Sequence, residues 1–305
     1  RFEARTFEQL VDGALKLPLR AYIDPKAAVS IQVTSKKSKL IHTGAISERI
    51  RKVIERTVSK EVEQGDESEA GPEFTLMVRL FRDKVTVSVA AAERLHRRGY
   101  RTHVGAAPLR ETLAAACLKL AGYDGQAPLW DPFCGSGTIL AEALDRSRST
   151  PRLLERSFAF ESWPTHDAAA HQTWKASHQA TGEPAATVVG SDLSTKEIAG
   201  ARANLTAAFG DRGWTLHEGA FSGHASHIPK GAFIVTNPPY GKRIESDDSW
   251  IKELSGLLRK RRDIAGTFVL TPDPNFGSRA GLPFRVLATF SNGGLKVRLW
   301  GLKGR

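Results

Sequence analysis

Two short motifs, about a hundred residues apart, combine residue types that can do chemistry. The first, at 131–138, reads Asp-Pro-Phe-Cys-Gly-Ser-Gly-Thr and follows a short apolar strand. Its glycines, Gly135 and Gly137, lack the Cβ atoms that would keep a ligand away from the backbone. The second, at 237–240, reads Asn-Pro-Pro-Tyr and follows an apolar segment that reads as a buried strand. The amide, the paired prolines and the aromatic ring form a rigid clamp suited to a flat amino group. Together the motifs predict a cofactor held beside an amine.

The order and separation of these motifs resemble those of class I S-adenosylmethionine-dependent methyltransferases that modify an exocyclic or amide nitrogen. By that resemblance the cofactor is S-adenosyl-L-methionine and the catalytic residues are Asn237, Pro238, Pro239 and Tyr240. The exocyclic amine of a purine is a poor nucleophile because its lone pair is delocalised into the ring. The Asn237 side-chain oxygen and the Pro238 carbonyl would accept its two hydrogens and turn the lone pair toward the methyl group. The prolines hold that carbonyl in place, and Tyr240 would stack on the base for roughly 1–3 kcal/mol.

The same resemblance assigns parts of the cofactor to particular residues. Asp131 would meet the ammonium group, and the helix that starts near Thr138 would offer N–H groups to the carboxylate. Asp192, after the strand at 187–189, would accept hydrogen bonds from the ribose hydroxyls. Many relatives carry an Asp that binds adenine after the third strand, where this chain has Ala220 and Phe221 instead. The predicted cofactor-binding residues are Pro108, Thr112, Asp131, Phe133, Cys134, Gly135, Ser136, Gly137, Thr138, Asp192, Leu193, Ala220, Phe221 and Asn237.

Other kinds of site have weaker support in the sequence. The glycine motif lacks the third glycine of a dinucleotide-binding G-x-G-x-x-G turn and the Gly-Lys-Ser or Gly-Lys-Thr of a phosphate-binding loop. Six histidines lie in two regions, but no Cys or carboxylate spacing completes a zinc site, so we expect no metal. These histidines are His166, His171, His178, His217, His224 and His227.

The pattern of strands and helices predicts an α/β fold for residues 95–305. Apolar strands precede both motifs, helices are expected at 138–144, 196–209 and 248–262, and the final strands at 284–290 and 295–302 form a hairpin. By the resemblance this is a Rossmann-like seven-stranded methyltransferase domain with a terminal antiparallel hairpin. An insertion at 146–186, with an aromatic stretch at 158–163, resembles that of ribosomal RNA guanine methyltransferases.

Residues 1–94 read as a separate small α+β module. A strand at 29–33, an amphipathic helix at 43–60 and a hairpin of strands at 74–81 and 84–91 follow one another. With the segment at 38–46, these elements resemble the C-terminal half of a THUMP domain, an RNA-binding module of modification enzymes. Residues 2–22 then read as a remnant of the preceding part. Because no Met begins the chain, we expect the sequence to start inside a longer protein and the THUMP-like domain to be truncated.

Basic residues mark the predicted contacts with RNA. The basic turn (Ser-Lys-Lys-Ser-Lys at 35–39), the linker at 95–101 and the segment after the second motif all carry Lys or Arg, which supply most sequence-independent affinity for phosphates. In the enzymes that this chain resembles, the segment at 107–116 forms a helix over the cofactor, so Arg110 and Glu111 are further candidates for the cofactor pocket and not for RNA contact. The predicted RNA-binding residues are Lys36, Lys37, Lys39, Arg97, Arg98, Arg101, Lys242 and Arg243.

Composition agrees with a nucleic-acid partner. The 305-residue chain has a formal net charge of +11, which favours a polyanion over an acidic or apolar partner. No run of 18 apolar residues could span a membrane. Its two cysteines, Cys117 and Cys134, are typical of the reducing cytoplasm.

The whole pattern resembles the bacterial enzymes that form N2-methylguanosine in 23S ribosomal RNA, and the Gly-Lys-Arg-Ile at 241–244 favours them over their relatives. The target guanine would have to leave its stack to reach Asn237. Other functions stay open: a tRNA guanine methyltransferase, a DNA adenine or protein glutamine N-methyltransferase, or an RNA-binding protein without activity.

Overall fold

The computed structural model describes residues 1–58, 73–92, 95, 98–105, 109–148, 156–178, 187–239 and 249–304. Its strands are β1 (Phe2–Glu3), β2 (Ala28–Lys36), β3 (Glu73–Phe81), β4 (Lys84–Val89), β5 (Leu129–Asp131), β6 (Val188–Asp192), β7 (Trp214–Glu218), β8 (Phe233–Thr236), β9 (Gly266–Thr271), β10 (Arg285–Asn292) and β11 (Leu295–Lys303). Its helices are α1 (Phe7–Leu15), α2 (Thr43–Thr57), α3 (Glu111–Ala121), α4 (Thr138–Ser147), α5 (Ala168–Ser177), α6 (Thr195–Phe209), α7 (Ser249–Lys260) and α8 (Phe276–Ala280).

The chain divides into two compact units. One contains Arg1–Arg94 and Arg156–Ser177, and the other contains Leu95–Glu155 and His178–Arg305. The sequence prediction kept all of 95–305 together, whereas the structure packs part of the insertion with the N-terminal unit. The reason lies in its aromatic stretch, where the Trp163 ring meets the Tyr22 ring edge-on at 5.2 Å. The Thr165 hydroxyl also donates a hydrogen bond to the Ala21 carbonyl over 2.8 Å.

A four-stranded sheet organises the described part of the N-terminal unit. Its order is β1-β4-β3-β2, with β2 parallel to β3 and the other neighbours antiparallel. Helix α2 buries Ile46 and Ile50 because apolar residues recur along it at helical spacing. Residues 2–22 complete this unit, since β1 pairs with β4 and α1 buries Leu10 in the same core. The strand, helix and hairpin expected from the sequence are therefore part of a larger α+β domain.

A mixed sheet of seven strands organises the described part of the second unit. The order is β10-β11-β9-β8-β5-β6-β7, in which β7, β6, β5, β8 and β9 run parallel and the β10–β11 hairpin is antiparallel. This confirms the predicted Rossmann-like fold with its terminal hairpin. Helix α8 was not expected from the sequence; it buries Phe276 against Trp250 and Trp300.

The parallel strands position the two motifs at one edge of the sheet. Strands β5, β6, β8 and β9 bury nearly every residue, as strands covered by helices on both faces do. Asp131 ends β5, Asp192 ends β6 and Asn237 follows β8 directly. Because β5 lies between β6 and β8, all three residues come to the same carboxyl edge. Among the described helices, none is long and apolar enough to cross a membrane.

Candidate active site

The glycine motif makes a tight turn between β5 and α4. Gly135 and Gly137 have φ angles of +50° and +83°, which residues with a Cβ rarely adopt. A Cβ on Gly137 would lie 3.3 Å from the Cβ of Ala201, so α6 also packs closely here. The Gly137 N–H donates to the Cys134 carbonyl over 2.8 Å and closes the turn. The sequence therefore uses these glycines both to form the turn and to bring α6 close to it.

A cavity of about 480 Å³ opens at this turn, within the usual range for a small-molecule site. Gly105, Leu109, Ile139, Ser194 and Glu197 contribute to its lining although the sequence analysis did not single them out. It brings together these predicted residues: Asp131, Phe133, Cys134, Gly135, Ser136, Thr138, Asp192, Leu193, Asn237, Pro238 and Pro239.

Four other predicted cofactor residues lie elsewhere in the described structure. Gly137 is buried behind the cavity wall, and Thr112 is exposed on α3. Ala220 is exposed after β7. Phe221 is buried, with its ring against those of Trp130 and Phe133, so it supports the cavity wall instead of lining the cavity. Pro108 and Tyr240 lie outside the described residues.

Another cavity, of about 390 Å³, opens near the start of β9 and is lined in part by Arg259, Arg261 and Thr267. Arg261 is already paired with Asp263 through two hydrogen bonds of 2.8 Å. Ligands of open α/β sheets bind at the carboxyl ends of the strands. We therefore assign the active site to the cavity at the glycine turn.

Asp131 is a buried carboxylate on the floor of this cavity. Its Oδ1 accepts a hydrogen bond from the Thr236 hydroxyl over 2.6 Å and another from the Phe133 N–H over 3.2 Å. Burial raises the pKa of Asp131 to about 7, against the effect of both hydrogen bonds, and the charge of Asp192 raises it further. A cationic group bound beside Asp131 would relieve this cost, because an opposite charge favours the ionised form.

Asp192 links the glycine turn to the start of α6. Its Oδ2 accepts the Gly135 N–H over 2.9 Å and its Oδ1 accepts the Ser194 N–H over 3.0 Å. Each carboxylate oxygen can accept two hydrogen bonds. Asp192 thus keeps acceptor capacity toward the cavity while it holds the turn.

Asn237 presents an oxygen that is not matched by a donor. Its Oδ1 is buried, and no residue of the described structure donates a hydrogen bond to it. Pro238 is buried and Pro239 exposed at the same rim. Leaving a buried polar atom unpaired costs about 1–3 kcal/mol, so such atoms commonly meet a ligand. Asn237 is therefore a candidate acceptor for a group that enters the cavity.

Arg98 and Arg101, which we predicted to contact RNA, have partners within the second unit. Arg98 makes two hydrogen bonds to Glu142, of 2.9 and 3.0 Å, and its side chain is 12% exposed. Arg101 donates to the Thr138 hydroxyl over 2.6 Å and lies 3.4 Å from Glu111. Both guanidinium groups bind acceptors inside the unit, so they position the linker at the cavity.

The sequence analysis missed Asn204, which ties three segments together. Its Oδ1 accepts the N–H groups of Thr102 and His103, and its Nδ2 donates to the carbonyls of His103 and Ser136. The sequence signal that could have identified Asn204 is its position on the same face of α6 as the apolar residues Ile198, Ala201 and Leu205. A buried amide of this kind is retained for its hydrogen bonds.

The remaining RNA-binding predictions fall on surface or undescribed residues. Lys36, Lys37 and Lys39 of the basic turn are exposed. Asp83 holds this turn, since its Oδ1 accepts the Lys39 N–H over 2.7 Å and its own N–H donates to Ser38 Oγ over 3.0 Å. Arg97, Lys242 and Arg243 lie outside the described residues.

The sequence predicted no metal site, but three histidines lie close together in the structure. His217, His224 and His227 come together, with one ring nitrogen of each within 4.8 Å of the others. The sequence did not reveal this cluster because no Cys or carboxylate completes a familiar spacing; a bend after β7 brings the rings together.

The cavity suits S-adenosylmethionine. Asp131 fits an ammonium group, the glycine turn offers close backbone approach, and Asp192 lies at the end of the neighbouring strand, where ribose acceptors of such folds lie. The fold and this site define a class I S-adenosylmethionine-dependent methyltransferase. Two matches then give the particular family. Residues 98–261 match the RMKL-like methyltransferase domain, and residues 4–90 match the THUMP domain. The chain belongs to the RMKL-like methyltransferase family and carries a THUMP domain.

Known proteins resemble between 77% and 100% of the chain. A Synechocystis sp. protein that bears the name of an RNA methyltransferase, slr0064, is 30% identical over 96% of this chain and 78% of its own length. The ribosomal RNA large subunit methyltransferase K/L of Psychromonas ingrahamii is 34% identical over 77% of this chain but only 32% of its own length. The crystal structure of SMU.472, described as a methyltransferase complexed with SAH, has a TM-score of 0.85 and 27% identity, and the match covers 100% of this chain and 82% of that one.

Proposed function

We propose that this protein transfers a methyl group from S-adenosylmethionine to the exocyclic N2 amine of a guanine in RNA, with 23S ribosomal RNA as the substrate. The K/L relative is named for the large ribosomal subunit. The THUMP domain and the net charge of +11 support an RNA partner. The chain spans 32% of the length of that K/L relative.

The observation that carries this proposal is the buried, unpaired Oδ1 of Asn237. An amine has hydrogens to donate to that oxygen, whereas guanine N7 is a ring nitrogen without a hydrogen. A contact that forms only when the amine enters raises the rate if it strengthens as the nitrogen becomes pyramidal. The acceptor on Asn237 therefore favours an exocyclic amine over N7 as the methyl acceptor.

The other residues of the cavity would hold the two reactants in line. Bound S-adenosylmethionine supplies the electrophilic methyl group. Asp131 and Asp192 would hold the ammonium and ribose ends, and Pro238 would keep its carbonyl fixed beside Asn237. Such alignment of bound groups can account for about 7–11 kcal/mol of a barrier. A stacked guanine would have to be flipped out or single-stranded to enter.

The test is transfer of a radiolabelled methyl group to RNA, DNA and protein fractions, followed by digestion of the RNA and mass spectrometry of its nucleosides. We expect label in ribosomal RNA as N2-methylguanosine. Label as N7-methylguanosine, as N6-methyladenosine, or in tRNA alone would overturn the substrate assignment. No transfer to any fraction, by protein that binds the cofactor, would support an RNA-binding protein without activity.

Asn237 variants test the role of the acceptor. Asn237→Ala should lower kcat by about 10²–10³, as loss of one preorganised contact does, while the Kd for S-adenosylhomocysteine stays near the wild-type value. Asn237→Asp keeps an acceptor oxygen and should retain more activity than the alanine variant. An equal loss of cofactor affinity in Asn237→Ala would contradict this role.

We also propose the cytoplasm as the compartment of the enzyme. Ribosomal RNA is modified there, and Cys117 and Cys134 are buried thiols outside any disulfide.

A further inference from the structure

Three histidines meet on the surface of the methyltransferase unit, outside the cavity described above. His217 lies in β7, and His224 and His227 lie on the 3₁₀ helix Phe221–His227. The ring centroids of His224 and His227 are 4.9 and 4.7 Å from that of His217. One nitrogen of each ring lies within 4.8 Å of one nitrogen of each other ring. Strand β7 and the 3₁₀ helix that follows it thus bring three imidazole rings together.

The hydrogen bonding of His224 prepares one ring nitrogen for a ligand. Its Nε2 is 3.0 Å from the Glu218 carbonyl oxygen. A carbonyl only accepts, so Nε2 carries the proton and Nδ1 carries a lone pair. That Nδ1 is buried, and no residue of the described structure donates a hydrogen bond to it. A histidine that binds a metal through one nitrogen commonly donates the other N–H to a carbonyl in this way.

The donor atoms of this cluster are those of a transition-metal site. Neutral imidazole is the common nitrogen ligand for Zn²⁺, Co²⁺, Ni²⁺ and Cu²⁺. The group contains only imidazole donors, whereas Mg²⁺ and Ca²⁺ select oxygen ligands.

We propose that His217, His224 and His227 form a three-histidine site for a divalent transition metal, with Zn²⁺ as its ion and water in the fourth position. At Zn–N distances of about 2.0–2.1 Å, tetrahedral ligand atoms lie about 3.3 Å apart. The nitrogens, now within 4.8 Å of one another, must therefore approach, and the rings must turn out of their stacked arrangement, in which His217 lies at 21° to His224 and 11° to His227. His227 is exposed and has room to turn.

Metal binding would cross-link β7 to the 3₁₀ helix that follows it. This helix begins at Phe221, whose ring packs at 5.3 Å against that of Phe133 in the wall of the cofactor cavity. The ion would thus brace the cavity from outside. This role is structural, and the inference rests on the three imidazoles alone, independently of the RNA substrate.

The test uses the full chain without a polyhistidine tag. Titration with Co²⁺ followed by visible spectroscopy reports the coordination number, and competition with a chromogenic chelator gives the Zn²⁺ affinity. We expect one equivalent of metal per chain, a tetrahedral Co²⁺ spectrum and a higher Tm in Zn²⁺. His227→Asn should weaken Zn²⁺ binding by about tenfold or more. This exposed position should tolerate the change without loss of the fold.

His171→Asn is the matched control. His171 contacts His166, with ring centroids 5.1 Å apart, in the other unit, and its loss should leave Zn²⁺ affinity and the Co²⁺ spectrum unchanged. The proposal is overturned if the wild type binds no stoichiometric metal, if Co²⁺ gives an octahedral spectrum, or if His227→Asn and His171→Asn have equal effects. Because each readout is metal binding or Tm, inactivity toward RNA would not affect the result.

Discussion

Substituting Asp131 by Asn should stabilise the ligand-free protein at neutral pH while it removes cofactor binding. The Asp131 carboxylate is fully buried, and its pKa is raised from 3.8 to about 7, chiefly by burial. A shift of roughly three units corresponds to a cost on the order of 4 kcal/mol for the ionised form, at 1.36 kcal/mol per unit. The introduced amide would keep an oxygen that accepts from Thr236 and Phe133 but would carry no charge.

The pH dependence follows from the sign of this shift. Because the pKa of Asp131 is raised in the folded state, protonation of this carboxyl stabilises the fold. The stabilisation is complete below pH about 4 and is lost as the pH rises through about 7. The stabilisation of Asp131→Asn should therefore be small at pH 4 and largest at pH 8. Urea unfolding of the ligand-free proteins at both pH values measures this difference.

The affinity for the cofactor should depend on pH in the opposite direction and rise with pH. In the role that we propose for it, Asp131 holds the ammonium group in its ionised form, and the ionised fraction falls about tenfold per pH unit below its pKa of about 7. Affinity for S-adenosylhomocysteine should thus drop on the order of 50-fold from pH 7 to pH 5. Below pH 7 the ligand amine stays protonated, since its ordinary pKa is about 7.7–8.0. Calorimetry over this range should find the wild type strongly pH-dependent and Asp131→Asn weak throughout.

Asp192→Asn is the control for the stability measurement. The Asp192 carboxylate accepts the backbone N–H groups of Gly135 and Ser194, so an amide nitrogen there would face a donor and lower stability at either pH. The reasoning is refuted if Asp131→Asn destabilises the protein equally at pH 4 and pH 8. It is equally refuted if wild-type affinity is flat between pH 5 and pH 7.

Three further substitutions test other parts of the structure. Gly137→Ala should lower the free energy of unfolding by about 1–2 kcal/mol through its left-handed backbone conformation, and by more through contact with Ala201. Gly122→Ala isolates the backbone effect in the same denaturation assay, because Gly122 has a similar conformation, with φ +74° and ψ +18°, and no neighbour within 4 Å. Glu142→Ala should lower the free energy of unfolding, measured with urea, by about 3–5 kcal/mol because it leaves Arg98 buried without its partner. A decrease below about 1 kcal/mol would contradict a buried ion pair. Alanine at all three lysines of the basic turn should weaken RNA binding and reduce the slope of log K against log salt by roughly 2; an unchanged slope would exclude phosphate contacts there.

Much of the architecture could be predicted because it depends on local patterns. Alternation and apolar runs identify strands, and the glycines after β5 and the prolines after β8 identify the turns at their ends. Parallel strands bring such ends to one edge, so the sequence alone predicts that Asp131, Asp192 and Asn237 share a site. The four-stranded N-terminal sheet was only partly predicted, since pairing of β1 with β4 joins residues far apart in sequence.

The roles of single side chains were harder to predict because they depend on what is buried beside them. Arg98 and Arg101 have the composition of a basic surface, yet Glu142, Thr138 and Glu111 bind them internally. Phe221 could have stacked on a ligand, but its ring is packed against Trp130. Nothing in the local sequence distinguishes these outcomes, because each partner comes from another element of the fold.

The sequence by itself determined the class of fold, the glycine turn and the amide clamp, since each depends on residue types within a few positions of one another. Tertiary structure alone decided three other features: the raised pKa of Asp131, the unpaired oxygen of Asn237 and the meeting of three histidines after β7. The physical reason is that burial and proximity are properties of the packed chain. Both depend on contacts between residues that are distant in the sequence.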